Sequence, residues 1–314
     1  MISAFNSTLG SELARSWAAR LTGTPLAFWG LGAAAYTWRF GLEGVQARFL
    51  ALPAPLQAAL LLAVPLLVVA SDGLARRLDR LILRWLEGYW PEVPPFTWLA
   101  RWRRLRHRHR RERLEAEWQR LQGAFQHGHL HDPGARLRLS RLEALLHAYP
   151  DDPAHMTLPT QLGLRLRAAE TRPLLRYGLD GVVCWPALWL VLPEQARRDV
   201  AAARADLSGA ARLVFWALLG VVWGAWAPWA LPVALGLAWA GYRLALEAAE
   251  TFATLVETAF ALHRFALYEA LGLPRPTTPE EERQLGEAIT AHLWSGEPLD
   301  AFRAPAEEAA RAEP

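Results

Sequence analysis

The chain has 314 residues, of which 53% are hydrophobic and 16 are tryptophan, and its 34 basic residues other than histidine are all arginine. The single cysteine, Cys184, excludes an intramolecular disulfide bond and a metal site built from several cysteines. The net charge is only +3, but residues 72–212 hold 24 of the 34 arginines and 16 of the 31 acidic residues. One block of the chain therefore carries the basic character.

The first 21 residues predict an amphipathic helix, because Leu9, Leu13, Trp17 and Leu21 recur every four residues. Such a helix either lies in a membrane interface or packs on the protein's own helices.

Long runs without charge predict two helical hairpins that cross a membrane. Residues 22–38 and 50–70 each reach the ~17–25 residues that a helix needs to cross a bilayer core. A third run, at residues 213–242, is too long for one crossing. Pro228 and Pro232 divide it, and with its flanking residues it predicts spans at 208–227 and 231–248. The alternative, a soluble helical protein, predicts a polar face that this run lacks. We therefore expect an all-α integral membrane protein with about four transmembrane helices.

The arginines predict the orientation of these spans, because loops kept in the cytoplasm carry the excess of basic residues. Arg76 and Arg77 follow the second span and Arg243 follows the fourth, whereas the link between the third and fourth has no charge. We expect a bacterial inner-membrane protein with both termini in the cytoplasm. The predicted parts are an N-terminal helix (1–21), hairpin 1 (22–71), a basic cytoplasmic helical region (72–207), hairpin 2 (208–248) and a cytoplasmic helical tail (249–314).

The segment RWRRLRHRHRRERL at 101–114 is the most basic part of the chain. Its simplest partner is the anionic inner leaflet, since each basic group near that surface contributes on the order of 1 kcal/mol. A solvated helix face with acidic partners in the same chain and a docking patch for a cytoplasmic protein are the alternatives. Nucleic acid is not expected, because no nucleic-acid-binding motif accompanies the charge. The candidate membrane-surface or partner-binding residues are Trp98, Arg101, Trp102, Arg103, Arg104, Arg106, Arg108, Arg110, Arg111 and Arg113.

Further helices are predicted in the basic region, at 99–125, 135–149 and 160–171. The segment YGLDGVVCWPALWLVLP at 177–193 has only about 13 apolar residues after Asp180, so we expect it to be buried or to lie in the interface. Asp72 and Asp180 are either functional acids at the membrane edge or helix caps, and capping is the favoured interpretation.

The fourth span is expected to continue as a helix to Gly272, and TPEE at 278–281 predicts a capping box at the start of another helix. Just beyond the fourth span, four polar residues share one helical face. In an oligomer with this helix around an axis they would form acidic rings that attract cations, and otherwise they are a solvated face. These candidate ion-facing residues are Glu247, Glu250, Thr254 and Glu257.

The chain offers little for catalysis or cofactor binding. His127, His129 and His131 are candidates for a metal site if their segment is extended, and otherwise they belong to a polar loop. No catalytic or nucleotide-binding motif is present, so no enzyme activity and no cofactor are expected. Cys184 lies in an apolar stretch, where a thiol is expected to pack.

Two segments resemble known proteins. ALLGVVWGAW at 217–226 resembles the third span of the proton-driven stator family (MotA, TolQ and ExbB), although Val221 stands where that family has a threonine. The segments LPTQLGLRLRAAE and YGLDGVVCWPALWLVLP, within 158–193, resemble uncharacterised bacterial multi-pass membrane proteins. The first resemblance implies an ion-driven stator-like subunit, and the second implies only the class.

These observations lead to three hypotheses about function. The first is a homo-oligomeric channel or pore walled by the uncharged hairpin. The second is a membrane-anchored scaffold that recruits a cytoplasmic partner through its arginine-rich region. The third is the stator-like subunit.

Overall fold

The computed structural model describes residues 24–126, 133–299 and 302, and all the regular elements in that part of the chain are helices. This confirms the predicted all-α class, while the amphipathic helix predicted at 1–21 lies outside the described residues. The helices are α1 (Thr24–Phe40), α2 (Leu42–Leu50), α3 (Ala54–Arg77), α4 (Asp79–Glu87), α5 (Phe96–Gln126), α6 (Pro133–His147), α7 (Gln161–Tyr177), α8 (Gly181–Val191), α9 (Glu194–Leu219), α10 (Ala230–Ala270) and α11 (Pro279–Ser295).

The chain divides into two compact units. Unit 1 takes in the described residues up to Arg84 together with Asp206–Ala245, and unit 2 takes in Trp85–Ala205 together with the described residues from Leu246 onward. Helices α4, α9 and α10 each begin in one unit and end in the other. Unit 1 thus holds the uncharged runs, and unit 2 holds the charged helices.

Within the described residues, two helices are long and apolar enough to cross a membrane. They are α3, with 24 residues, and α9 with the 3-10 turn that follows it, which together make 32 residues at Glu194–Ala225. Helices α7 and α8 pass the same test only as a pair bent by 84°, which would raise the number to three. The four predicted spans are therefore not confirmed. Helix α1 has only 17 residues, and the apolar part of α10 is followed closely by Arg243 and Glu247.

Small residues and tryptophans pack unit 1 together. A Cβ atom added at Gly32 would stand 2.6 Å from the Trp223 ring, so the indole lies directly on the backbone of α1. The Trp29 indole N–H donates to Ser71 Oγ over 3.2 Å and links α1 to α3. Small residues that let helices approach closely are typical of packing within membranes.

The prolines of the second hairpin mark its turn. The 3-10 turn after α9 ends at Ala225, and α10 begins at Ala230, so the break lies around Pro228. The Ala227 N–H donates to the Trp223 carbonyl, and the Ala230 N–H donates to the Ala227 carbonyl. Helix α10 then runs unbroken for 41 residues.

The core of unit 2 is formed by α8, α10 and α11. Cys184 and Leu188 of α8, Phe260 of α10 and Ile289 of α11 are fully buried in one hydrophobic cluster. The segment at 177–193 is therefore buried along one face, although Leu190 on its other face is 77% exposed.

Of the predicted caps, two are confirmed and one is wrong. The Asp180 carboxylate accepts from the N–H groups of Val182 and Val183 at the start of α8. The TPEE segment forms the predicted capping box of α11, with Thr278 as the N-cap. Asp72 caps no helix, because it lies inside α3, is 4% exposed and pairs with Arg76 over 2.7 Å. Residues 72–90 do not form one continuous helix with the second span, because α3 ends at Arg77 and α4 starts at Asp79.

Replacing Gly286 by alanine should destabilise unit 2. A Cβ atom there would stand 1.9 Å from the Tyr177 carbonyl oxygen, which is backbone and cannot turn aside. We expect a loss of about 1–3 kcal/mol in the free energy of unfolding, as is typical of overpacked sites. The measurement is the rate at which a maleimide labels Cys184, the only thiol of the chain, which is buried in unit 2. Gly236→Ala in α10 is the control, since no atom lies within 4 Å of its added Cβ. Equal labelling of the two variants would contradict the prediction.

Candidate functional site

Helix α5 has an inner and an outer face. The half-buried residues recur every three or four positions and form the inner face, which comprises Arg103, Arg104, His107, Arg111, Leu114, Glu115 and Trp118. The opposite side of the helix is the outer face, where Trp98 is 71% exposed and Trp102 is 55% exposed. Because residues three and four apart lie on one side of a helix, the eight arginines of the basic segment are divided between two environments.

The three inner arginines make bonds within unit 2. Arg103 Nε donates to the Pro159 carbonyl over 3.0 Å, and Arg111 Nη2 donates to the Asp151 carbonyl over 2.8 Å. Arg104 Nε donates to the Ala100 carbonyl of its own helix over 3.3 Å. Their guanidinium groups are used for packing, so these three candidate residues are poorly placed to meet a membrane or a partner.

The five outer arginines are Arg101, Arg106, Arg108, Arg110 and Arg113, all of them exposed. Within the described ranges, none of the five forms a salt bridge with a carboxylate. The Arg106 guanidinium lies 5.5 Å from the centre of the Trp102 ring. Of the acids on this face, Glu112 is paired with His109 at 3.2 Å, and the exposed Glu117 lies one turn beyond Arg113. The outer face of α5 is therefore a basic strip with exposed indole rings.

His107 lies beneath this strip. Burial, followed by the positive charges of Arg103 and Arg110, lowers the pKa of the His107 imidazole from 6.5 to about 4. The side chain is therefore neutral at physiological pH, and its ring packs 6.2 Å from the Tyr149 ring. A neutral imidazole fits the crowded basic environment, because a charged one would add to the repulsion.

The acidic face of α10 meets arginines of α7. Arg165 Nη1 donates to Glu250 Oε2 and to the Leu246 carbonyl, both over 2.8 Å. Seven residues further along each helix, Arg172 Nη1 donates to Glu257 Oε1 over 2.5 Å. Seven residues make about two helical turns, so the two pairs align α7 with α10 along one side.

Arg172 is the centre of this network. Its side chain is 3% exposed, and it also bonds to the Asp151 carboxylate at 3.2 Å and to the His147 carbonyl at 2.7 Å. Burial alone would raise the pKa of Glu257, but the hydrogen bond from His147 and the charge and hydrogen bond of Arg172 outweigh it and lower this pKa. Glu257 is therefore held as a carboxylate.

These pairs change the interpretation of the candidate ion-facing residues. Glu250 and Glu257 are engaged by arginines of the same chain, whereas Glu247 and Thr254 are exposed. The cavity beside Glu250, Thr254 and Glu257 is about 20 Å³, which is room for a single water molecule. An acidic ring formed by several copies of α10 stays a prediction, and it would have to work with these arginines in place.

The candidate metal ligands His127, His129 and His131 lie outside the described residues. Among the residues that the structure does describe, no group of three or more histidine, cysteine, aspartate or glutamate side chains could hold a metal ion.

The sequence analysis missed the arginines of α7. Arg165 and Arg172 are separated by seven residues, as are Glu250 and Glu257, although Arg172 lies one residue beyond the helix predicted at 160–171. Matching the two spacings would have suggested that these helices pair through their charges.

The fold and this site define a class: an all-helical protein that combines two helices able to cross a membrane with a separate, arginine-rich helical unit. Comparisons of the chain with protein-family models, with curated proteins and with solved structures found no match. The resemblances noted in the sequence therefore stay predictions.

Replacing Arg172 by methionine should unfold unit 2 more easily, because it leaves Glu257 as a buried carboxylate without its main partner. Breaking a buried ion pair in this way costs about 3–5 kcal/mol. Arg172→Met combined with Glu257→Gln should lose less, since no unpaired charge is left. The measurement is denaturant unfolding in detergent, followed by the reactivity of Cys184. Arg176→Met, an exposed arginine one turn away, is the control. Equal losses for Arg172→Met and Arg176→Met would contradict the role of Arg172.

The stability of unit 2 should fall as the pH is lowered from about 6.5 to about 4. The unfolded chain binds a proton at His107 in this range, whereas the folded chain, with its pKa of about 4, does not. His107→Gln should make the pH dependence of unfolding shallower within this window, and His109→Gln on the exposed side of α5 is the control. Unfolding is measured by circular dichroism in denaturant at a series of pH values. A slope that is the same in His107→Gln and in the native protein would contradict the assignment.

Proposed function

We propose that the protein is a membrane-anchored structural protein of the bacterial inner membrane, with both termini and unit 2 in the cytoplasm. In this proposal, four spans hold the chain in the bilayer, and the outer face of α5 docks on the anionic inner leaflet. The observation that carries the proposal is the set of five outer arginines that have no carboxylate partner among the described residues, beside two exposed tryptophans.

The chemistry of the outer face suits a lipid surface. Each arginine near an anionic leaflet contributes on the order of 1 kcal/mol, and tryptophan favours the headgroup layer. Leu99 and Leu105, 43% and 48% exposed, add apolar area between the arginines. Helices that lie in a membrane interface have this composition, with large apolar side chains flanked by basic ones.

Contacts within unit 2 support a position of α5 close to the membrane. The predicted fourth span ends near residue 248, and Arg165 of α7 bonds to the Leu246 carbonyl at that point. Pro159, six residues before Arg165, accepts the hydrogen bond of Arg103. The beginning of α5, with Trp98 and Trp102, is thus linked through two hydrogen bonds to the part of α10 where the chain is expected to leave the bilayer.

A structural role on the lipid surface is favoured over the channel because of the state of the acidic face. A ring of carboxylates that attracts cations needs side chains open to the pathway, and Glu250 and Glu257 are paired with Arg165 and Arg172. The homo-oligomeric channel and the stator-like subunit stay predictions.

The docking of α5 on lipid is tested with a spin label at position 105. Cys184→Ala removes the only native thiol, and Leu105→Cys then places a nitroxide on the outer face. In vesicles containing phosphatidylglycerol we expect the label to be more accessible to oxygen than to a nickel complex. In vesicles of phosphatidylcholine alone, we expect a smaller excess of oxygen accessibility over nickel accessibility. Changing the five outer arginines to glutamine should abolish the difference between the two kinds of vesicle, because it removes the charge that attracts the anionic lipid.

The control for that experiment changes arginines that are exposed elsewhere. Arg138→Gln with Arg141→Gln removes charge from the exposed side of α6 and should leave the label at position 105 unaffected. A label equally open to nickel in both kinds of vesicle would overturn lipid docking and would favour an acidic cytoplasmic protein as the partner.

A further inference from the structure

An apolar groove runs between α8, α9 and α10 in unit 2, away from the residues discussed so far. Its volume is about 630 Å³. Its walls are formed mainly by Trp185, Pro186 and Trp189 of α8, by Val200 and Arg204 of α9, and by Phe252 of α10. Binding sites for small molecules are typically of this size, lined by aromatic side chains with a few polar groups.

The aromatic wall is held in place by the core. The centre of the Trp185 ring lies 6.0 Å from the centre of the Phe260 ring and 5.7 Å from that of the Trp189 ring. Phe260 is fully buried. Val200 at the opposite wall is only 4% exposed. The groove is therefore formed before any ligand arrives, so binding would not have to order its walls.

Arg204 supplies one positive charge at the edge of the groove. Its guanidinium lies 5.5 Å from the centre of the Phe252 ring and forms no salt bridge within the described part of the chain. Glu170 is close enough to interact electrostatically with Arg204, but the Glu170 carboxylate already accepts a hydrogen bond from Arg167 over 3.2 Å. The guanidinium is thus available to an anion.

We propose that this groove binds a long-chain fatty acid anion. The carboxylate would accept hydrogen bonds from Arg204, as carboxylates do from guanidinium groups, and the acyl chain would cover the two tryptophan rings. A free acid can reach the groove from the inner leaflet, since Arg204 lies nine residues, about 13 Å along α9, before the uncharged run that starts at Leu213. Binding in this groove rests on the proposed cytoplasmic position of unit 2 but not on the docking of α5.

The size of the groove argues against a protein as its occupant. A stable protein–protein interface engages about 20–30 residues on each side. Only seven residues line this groove, which suits a single acyl chain.

The test uses a sixteen-carbon fatty acid that carries a photoactivatable diazirine in its chain. The full-length protein in phosphatidylcholine nanodiscs is irradiated with this probe, and the modified residues are mapped by mass spectrometry. We expect labelling in Trp185–Trp189 and at Phe252. Arg204→Gln should reduce this labelling about tenfold, because it removes the hydrogen bonds of a charged group. Ala201→Trp, which fills the groove from α9, should reduce it as well.

Arg198→Gln is the matched control, since Arg198 lies on the same helix, is exposed and is bonded to Glu194 rather than to the groove. Protection of Cys184 from maleimide shows for each variant that unit 2 is folded. Labelling at these positions that is unchanged in both Arg204→Gln and Ala201→Trp would overturn the proposal. Equal labelling by a phosphatidylcholine that carries the same diazirine chain would also overturn it, because a membrane phospholipid would then be the occupant.

Discussion

The ion pair between Arg172 and Glu257 is the interaction on which the arrangement of unit 2 depends. The two residues are 85 positions apart in sequence, and their side chains are 3% and 12% exposed. Removing two charges from water is costly, and attraction between the charges offsets that cost only if their remaining hydrogen-bonding groups are satisfied. Arg172 meets this condition through Asp151 and the carbonyls of His147 and Tyr149. These bonds connect the segment between α6 and α7 to both α7 and α10.

The cost of burying a charge, offset only by hydrogen bonds, also explains why the eight arginines of the basic segment do not form one continuous surface. A helix with arginine at eight of fourteen positions must turn some of them toward its neighbours, whatever their charge. Arg103 and Arg111 face inward and find backbone carbonyls, which accept hydrogen bonds without requiring a second buried charge. His107, between them, is kept neutral. The outer arginines have no such constraint, which leaves their charge available for another molecule.

Local features of the sequence predicted much of the fold. The helix periodicity, the capping box at Thr278 and the break near Pro228 depend on residues within a few positions of one another, so that local chemistry decides them. The role of Asp72 was assigned wrongly because an acid near the end of an apolar run fits both a cap and an ion pair with Arg76 one turn away. The number of spans depends on tertiary packing and on the bilayer. Length and composition alone identify two described helices, α3 and α9 with its 3-10 turn, as able to cross a membrane.

The candidate site was harder to predict, because its parts come from distant segments. The outer face of α5 follows from helical geometry once its inner side is known, but only the contacts with Pro159 and Asp151 define that side. The groove at Arg204 combines three helices, and no spacing in the sequence joins Trp185 to Phe252.

The pairing of α7 with α10 also bears on what the carboxylates of α10 can do. A carboxylate that binds a passing cation must exchange its partner at little cost. Glu257 would have to give up a guanidinium at 2.5 Å and leave the buried Arg172 with the Asp151 carboxylate, at 3.2 Å, as its counter-charge. Glu250 is less constrained, since its side chain is 61% exposed although it is bonded to Arg165. Any contact of α10 with ions would therefore begin at Glu247 and Glu250, near the predicted membrane exit, and the buried pair further along the helix would keep α7 in register.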